Sequence, residues 1–259
     1  MKTVHFILQG KGGVGKSYIA SLLAQYLTDK KKGKVKCYDT DPVNPTLSRY
    51  NALNVQLVPI LTEHKTIDTS RFDGFIEELL ESEDNAISVI DNGAATFVPL
   101  IGYITEIDLF DGLFKESNIN AYIHVPIVGG QAQDETMIGL TTICQLSESF
   151  KVVPWLNEFQ GEIESYDRKF DDFKVVQHNR DKIIGHVTLT SRNPDTYGKD
   201  IRRMTEDTIT FSEVLQSKDY TLIPKQRLKQ VRDEVYRQLD VIFPPVKVIE
   251  MNNNQTAKA

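Results

Sequence analysis

Three features of the 259-residue sequence predict an α/β fold with a mostly parallel central sheet covered by helices on both faces. Short apolar runs alternate with helical patterns along the chain, the order that builds parallel sheets through helical crossovers. The first run, residues 3–9 (TVHFILQ), is nearly continuous rather than alternating, as a strand buried on both faces requires. Directly after it comes Gly10-Lys11-Gly12-Gly13-Val14-Gly15-Lys16-Ser17, with two glycines, a lysine and a hydroxyl residue at the spacing of a phosphate-binding loop.

The elements follow in order. Ile19, Leu22, Leu23, Tyr26 and Leu27 recur at three- and four-residue spacing and predict an amphipathic first helix. It ends in Lys30-Lys31-Lys32 and Gly33, cations at the negative end of the dipole and then a stop, which reads as a solvated terminus and not a binding patch. A second strand, 34–38, delivers Asp39-Thr40-Asp41-Pro42 into a loop. Further strands are predicted at 56–61, 86–91, 121–128, 152–156 and 182–189, with helices near 69–83, 97–116, 131–149 and 196–206 between them. Residues 160–181 are charge-rich and weakly patterned and are expected to form a solvated helical excursion. The last helix, about 225–242, sets Leu228, Val231, Val235, Leu239 and Ile242 on one stripe. These elements make one domain over 1–243, and the polar stretch 244–259 beyond Pro244-Pro245 is expected to be a disordered tail.

Composition narrows the function. With 40% hydrophobic and 25% charged residues the chain has an ordinary globular balance, and its net charge of −6 argues against a surface made wholly for nucleic acid. Cys37 and Cys144 are too few for a disulfide framework or a zinc site and read as buried thiols. No apolar run is long enough to span a bilayer, and the first strand begins at once, so no signal peptide and a cytoplasmic location are expected. His5 and His124 lie in strands and read as packed side chains, and His64, His178 and His186 have no metal-ligand spacing. Trp155 reads as core.

The residue types of the loop suit a triphosphate. A helix N-terminus offers unpaired N–H groups and a positive dipole end, and glycines let the backbone curl around the phosphates. Gly12, Gly13, Val14, Gly15 and Tyr18 would surround a nucleotide, Lys16 would reach its β- and γ-phosphates, and the Ser17 hydroxyl would ligate Mg2+. Acids are needed to hold the water shell of the ion and to orient an attacking water. Asp39 and Asp41 leave the second strand and Asp91 ends the strand at 86–91, so both segments are placed to supply them.

Lys11 is foreign to an ordinary phosphate loop, and GKGGVGKS (10–17) resembles the deviant Walker A motif of the ParA/MinD group of P-loop ATPases. The resemblance implies a P-loop NTPase (Rossmann-like) fold with ATP and Mg2+ as ligands, and hydrolysis is expected to be slow without a partner because no arginine in these motifs is placed as a cis finger. It implies that Lys11 crosses to the partner's nucleotide in a homodimer formed on ATP binding, that Asp41 positions the attacking water, and that Asp91 is the Walker B acid. Asn157, in Trp155-Leu156-Asn157, matches an asparagine that contacts the base. The chain is similar above all to the TraL/StbB-like ATPases of conjugative plasmids, through 8–17, DTDPVNPT (39–46), DNGAATFVPL (91–100), WLN (155–157), DTYGKD (195–200) and QRLKQVRD (226–233). That branch implies a role in conjugative DNA transfer or plasmid maintenance, with an unidentified conjugation or plasmid-maintenance protein as partner. The short lead before the loop predicts no N-terminal DNA-binding extension, and PPVKVIEMNNNQTAKA (244–259) is unlike a MinD membrane anchor, so no stable membrane insertion is expected. A stripe of Lys225, Lys229, Arg232 and Tyr236 raises weak, ATP-dependent, nonspecific DNA association as a hypothesis against an ordinary solvated face. Two other functions remain open: a nucleotide-binding adaptor with little hydrolysis, and an ATP-dependent ligase of the same superfamily.

Overall fold

Successive residues along the first strand and its exit pack alternately on two apolar layers, and this organises the molecule. The structure, a computed structural model, describes residues 1–31, 34–165 and 168–244. Its strands are β1 (Lys2–Ile7), β2 (Val35–Asp39), β3 (Gln56–Leu57), β4 (Ile87–Asp91), β5 (Ile119–Val128), β6 (Phe150–Asn157), a two-stranded hairpin of β7 (Glu164–Ser165) and β8 (Arg168–Lys169), and β9 (Val187–Leu189). Seven of them form one sheet in the order β3-β2-β4-β1-β5-β6-β9, and every pairing in it is parallel. The helices are α1 (Lys16–Lys31), α2 (Phe72–Glu81), α3 (Phe97–Glu106), α4 (Gln133–Cys144), α5 (Lys174–His178), α6 (Lys199–Glu206), α7 (Phe211–Gln216) and α8 (Leu222–Ile242).

Val4, Phe6 and Leu8 face a layer built with α2, α3 and α4, whereas Ile7 faces one built with α1, α6, α7 and α8. The α1 stripe read from the sequence is fully used, with Ile19, Leu22, Leu23, Tyr26 and Leu27 all at 2% exposure or less. Each such aliphatic side chain stabilises the fold by about 1.5–3 kcal/mol relative to exposure. On α8, Leu228, Val231, Val235 and Leu239 are buried as the stripe predicts. Cys37 and Cys144 are buried, and burial pushes their thiols up to about 12 and about 11.

The structure corrects several boundaries. The strand expected at 56–61 is only two residues long, and that expected at 182–189 is three, because Gly185 at φ +144 interrupts the extended run. The helix expected over 97–116 divides at Asp108, whose φ of 49 ends α3, and resumes as a π-helical turn, Leu109–Phe114. Residues 160–181 are no helical excursion: among the described residues they hold the β7–β8 hairpin, a 3-10 turn and the five-residue α5. Helix α7 was absent from the sequence reading although its start carries a capping box, Thr210 with Glu213. The lysine stop at Lys32-Gly33 and the tail beyond Pro244 lie outside the described residues.

Candidate functional site

The parallel sheet brings the carboxyl ends of β1, β2, β4, β5 and β6 to one edge, and β1 lies between β4 and β5, where the strand order reverses. A ligand crevice opens at such a switch point. The glycine loop leaves β1 there and runs into α1. Gly13 (φ +74) and Gly15 (φ +92) hold conformations that side chains oppose, so glycine is required at both. Gln9 anchors the start of the loop: its amide nitrogen donates to the carbonyls of Pro126 (3.0 Å) and Thr136 (3.1 Å), and its oxygen accepts from the Gly10 N–H at 3.0 Å.

Lys16 is 8% exposed, and its Nζ donates to the Lys11 carbonyl at 2.8 Å, so the ammonium is turned into its own loop. Burial pulls the Lys16 pKa down, while Asp91 and then Asp41 pull it back up. The two buried acids are neighbours in register, Asp39 beside Asp91 on adjacent strands. They differ in one respect. Asp39 accepts the N–H of Asp41 (3.0 Å) on one oxygen and that of Ser48 (3.0 Å) on the other, whereas neither oxygen of Asp91 has a hydrogen-bond partner. Burial pushes the Asp91 carboxyl up to about 7. Ser17 is near enough to draw it partly back without a hydrogen bond of normal geometry, Asp39 raises it further, and Lys16 lowers it.

Asp41 stands outside this pair and is partly exposed. Its Oδ1 accepts from the N–H groups of Val43 (2.9 Å) and Asn44 (3.0 Å), and its carboxyl lies against Gly93, where a Cβ would come within 2.7 Å of Cγ. Thus the loop after β2 meets the loop after β4 where Asp41 packs on Gly93 and where the Thr40 hydroxyl donates to Asn92 Oδ1 at 2.9 Å, and a Cβ at Gly93 would force the Asp41 carboxyl to move.

Across the loop, Asn157 donates to the Val14 carbonyl at 3.2 Å and accepts from the Phe159 N–H at 3.3 Å. It lines a cavity of about 480 Å3 together with Tyr18, Phe159, Leu189 and Arg192. Burial raises the Tyr18 pKa, Tyr50 raises it further, and Arg192 opposes the shift. Arg192 pairs with Glu234, which also lines the cavity, and stacks 4.8 Å from the Tyr197 ring centroid; the segment DTYGKD adds Gly198 to the lining and QRLKQVRD adds Val231. Phe159 is 74% exposed at its rim.

Lys11 is partly exposed but paired within its own chain: its Nζ is 2.6 Å from Glu135 on the first turn of α4.

The residues present fit a magnesium nucleotide. Asp91 is an orphaned buried carboxylate beside a buried ammonium, a costly arrangement that a cation would relieve. Gly12 and Gly13 are exposed and a Cβ on Gly13 would touch nothing within 4 Å, leaving the loop open to a ligand. No group of three or more His, Cys, Asp or Glu among the described residues could hold an ion. Magnesium in phosphate sites is carried by one or two side chains, phosphate oxygens and water.

Sequence reasoning missed Gln9, Glu135 and Phe159, none of which carried a local signal. It read Asn92-Gly93-Ala94 as room for a γ-phosphate to approach but did not foresee the contact of Gly93 with Asp41. The remaining sequence expectations divide. Trp155 is core, its Nε1 donating to His124 Nδ1 at 2.9 Å, and His124 Nε2 meets His5 Nδ1 at 2.9 Å. The α8 stripe is not a clean basic face: Tyr236 is buried with its hydroxyl on Asp29 (2.9 Å), and Arg232 is held by Asp233 at 2.7 Å. No helix among the described residues is long and apolar enough to cross a membrane.

Comparison with known proteins identifies the family and agrees with the fold. The CobQ/CobB/MinD/ParA nucleotide binding domain model matches residues 5–216. Two curated Escherichia coli proteins, each called Protein TraL, are 36% identical to the chain over 241 residues, covering 93% of it and 98% of their own length. A plasmid partition protein from Borrelia burgdorferi B31, solved bound to AMPPNP, superposes with a TM-score of 0.50 at 15% identity, covering 94% of this chain and 98% of that one, a likeness of fold alone. Fold, loop and relatives converge, and the chain belongs to the CobQ/CobB/MinD/ParA nucleotide-binding family.

Proposed function

We propose that this chain is a Mg2+-dependent ATPase that acts as an ATP-dependent dimerisation switch in conjugative plasmid DNA transfer or plasmid maintenance. The observation that carries the reading is the buried, unpartnered Asp91 carboxylate beside Lys16 at the foot of the glycine loop. The TraL relatives support the plasmid setting.

In this reading Lys16 leaves the Lys11 carbonyl for the phosphates, and Gly12, Gly13, Val14 and Gly15 present backbone N–H groups to them. Ser17 and Asp91 would hold Mg2+, with Asp39 bonding its water shell through the lone pairs that Asp41 and Ser48 leave free. The ion would neutralise charge on the transferred phosphoryl group. Asp41 orients the attacking water from its seat on Gly93, and Tyr18 and Asn157 border the base in the 480 Å3 cavity. Lys11 reaches the nucleotide of a second copy. The protein works in the cytoplasm and acts through an unidentified conjugation or plasmid-maintenance protein, and weak DNA association rests on Lys225 and Lys229 alone.

One observation favours a second reading. The Asp41 Oδ1 is already taken by two backbone N–H groups, as in a structural turn, which suits an adaptor that binds nucleotide with little hydrolysis. Molar mass in solution, measured in apo, ADP and slow-hydrolysing ATP-analogue states, tests the switch. A doubling confined to the ATP analogue is expected, and a constant mass refutes it. Phosphate release separates the two readings: Asp41→Ala is expected to trap an ATP dimer, and normal turnover in that variant removes the water-positioning role.

A further inference from the structure

Helix α4 is bolted to the stretch just before the glycine loop. Gln9 donates to the Thr136 carbonyl at 3.1 Å, and Gly139, one turn further on, lies so close under the Gln9 carboxamide that a Cβ there would overlap it. This anchor sets the first turn of α4 at a fixed distance from residues 9–11. Glu135, adjacent to Thr136, is thereby brought opposite Lys11, and their charged atoms meet at 2.6 Å. The backbone of Lys11 is held separately, by Lys16 on its carbonyl. Both grips act in cis: one is on the carbonyl that Lys16 must release to reach phosphate, the other on the ammonium itself.

We propose that Glu135 is a positioning residue that retains Lys11 within its own subunit and so sets how much nucleotide-loaded protein is needed before two copies engage. The inference rests on the dimerisation switch proposed above. Lys11 and Glu135 are partly exposed, at 39% and 58% of their side chains, so the restraint is graded rather than absolute. Release follows from competition: a phosphate-bearing partner face offers Lys11 more negative charge than one carboxylate. Glu135, freed, then presents its charge on the same face, beside Ile138, which is 66% exposed. A protein that supplies a cation to Glu135 would loosen Lys11 and promote pairing.

The test uses the full chain as wild type, Glu135→Gln and Glu135→Asp. Brief labelling with acetic anhydride followed by peptide mass spectrometry reads the freedom of the Lys11 amine without requiring dimers. In the apo protein, Glu135→Gln is expected to raise Lys11 labelling about two- to fivefold, the range for a partly exposed pair, with Glu135→Asp near wild type. Sedimentation with Mg2+ and a slow-hydrolysing ATP analogue is expected to show Glu135→Gln reaching half-dimer at about two- to fivefold lower protein concentration, with Glu135→Asp again restoring the wild-type value. Equal labelling in all three proteins overturns the cis restraint. Altered labelling with an unchanged or higher half-dimer concentration overturns its control of pairing. If no form dimerises, the switch reading and the control of pairing fall together, and the labelling arm still decides whether Glu135 restrains Lys11.

Discussion

At the scale of single residues the site is defined by what each polar atom lacks or holds. Asp91 is buried with no donor to either oxygen, so its charge is a cost in the apo protein and a resource when a cation arrives. Asp91→Asn is therefore expected to leave the apo protein as stable as wild type or up to about 1–3 kcal/mol more stable, as the relief of an uncompensated buried group allows. The same change is expected to lower Mg2+-ATP hydrolysis about 100-fold or more. Thermal melting and phosphate release, run on one preparation, check both halves. A large loss of apo stability would contradict the orphaned-carboxylate reading. At Gly93, any Cβ would meet the Asp41 carboxyl at 2.7 Å. Gly93→Ala is expected to reduce kcat about 10- to 100-fold with KM little changed, because a displaced water-orienting group loses alignment rather than binding. Steady-state kinetics decide, and an unchanged kcat would detach Asp41 from the chemistry.

Among the elements, α4 carries more of the site than its own pattern announces. Its stripe of Leu140, Ile143 and Cys144 is ordinary core, but its first turn and Gly139 hold Gln9 and, through it, the loop. Gly139→Ala is expected to destabilise the fold by about 1–3 kcal/mol, the usual cost of inserting a methyl into a packed contact. ATP-analogue affinity should weaken at the same time. Urea unfolding and a titration of Trp155 fluorescence with the analogue measure the two effects. Lost stability with wild-type affinity would show that α4 supports the core but not the loop. These contacts had no signature in the sequence, since residues 9 and 139 are brought together only when β1 and β5 pair and α4 folds back across them. The α3 break at Asp108 was only faintly marked: aspartate tolerates a left-handed φ such as its 49, but one such residue in an apolar helical pattern does not by itself fix a break.

Across the whole molecule, the layer between the sheet and α8 encloses a polar chain in an apolar setting. Trp155 donates to His124 Nδ1, so the proton of neutral His124 belongs on Nε2, which then donates to His5 Nδ1. Burial, and then the neighbouring His5, hold the His124 imidazole well below its ordinary value. The unfolded chain takes up a proton near pH 6.5 that the folded chain refuses, so this stability is complete above that pH and is lost as pH falls below it. The slope is at most about 1.4 kcal/mol per pH unit. Asp91 acts with the opposite sign, since its raised carboxyl favours the folded state at low pH and that contribution is lost as pH rises towards 7. Comparison of wild type with His124→Gln isolates the histidine: its unfolding free energy is expected to fall less steeply between pH 7 and 5. Parallel slopes in the two proteins would show that His124 is not the group that titrates.

The phosphate loop, the acids Asp39, Asp41 and Asp91, the parallel α/β layering and the apolar stripes of α1 and α8 were all legible in the chain alone. Each depends on local chemistry: glycines that must adopt positive φ, acids at strand ends, and side chains repeating with the period of one helix. The anchoring of Gln9 beneath α4, the seat of Asp41 on Gly93, the pairing of Lys11 with Glu135 and the pairing of Arg192 with Glu234 in the cavity lining were not. These join residues tens to more than a hundred positions apart. Their partners are selected by strand order and helix placement, which no periodicity within a single segment encodes.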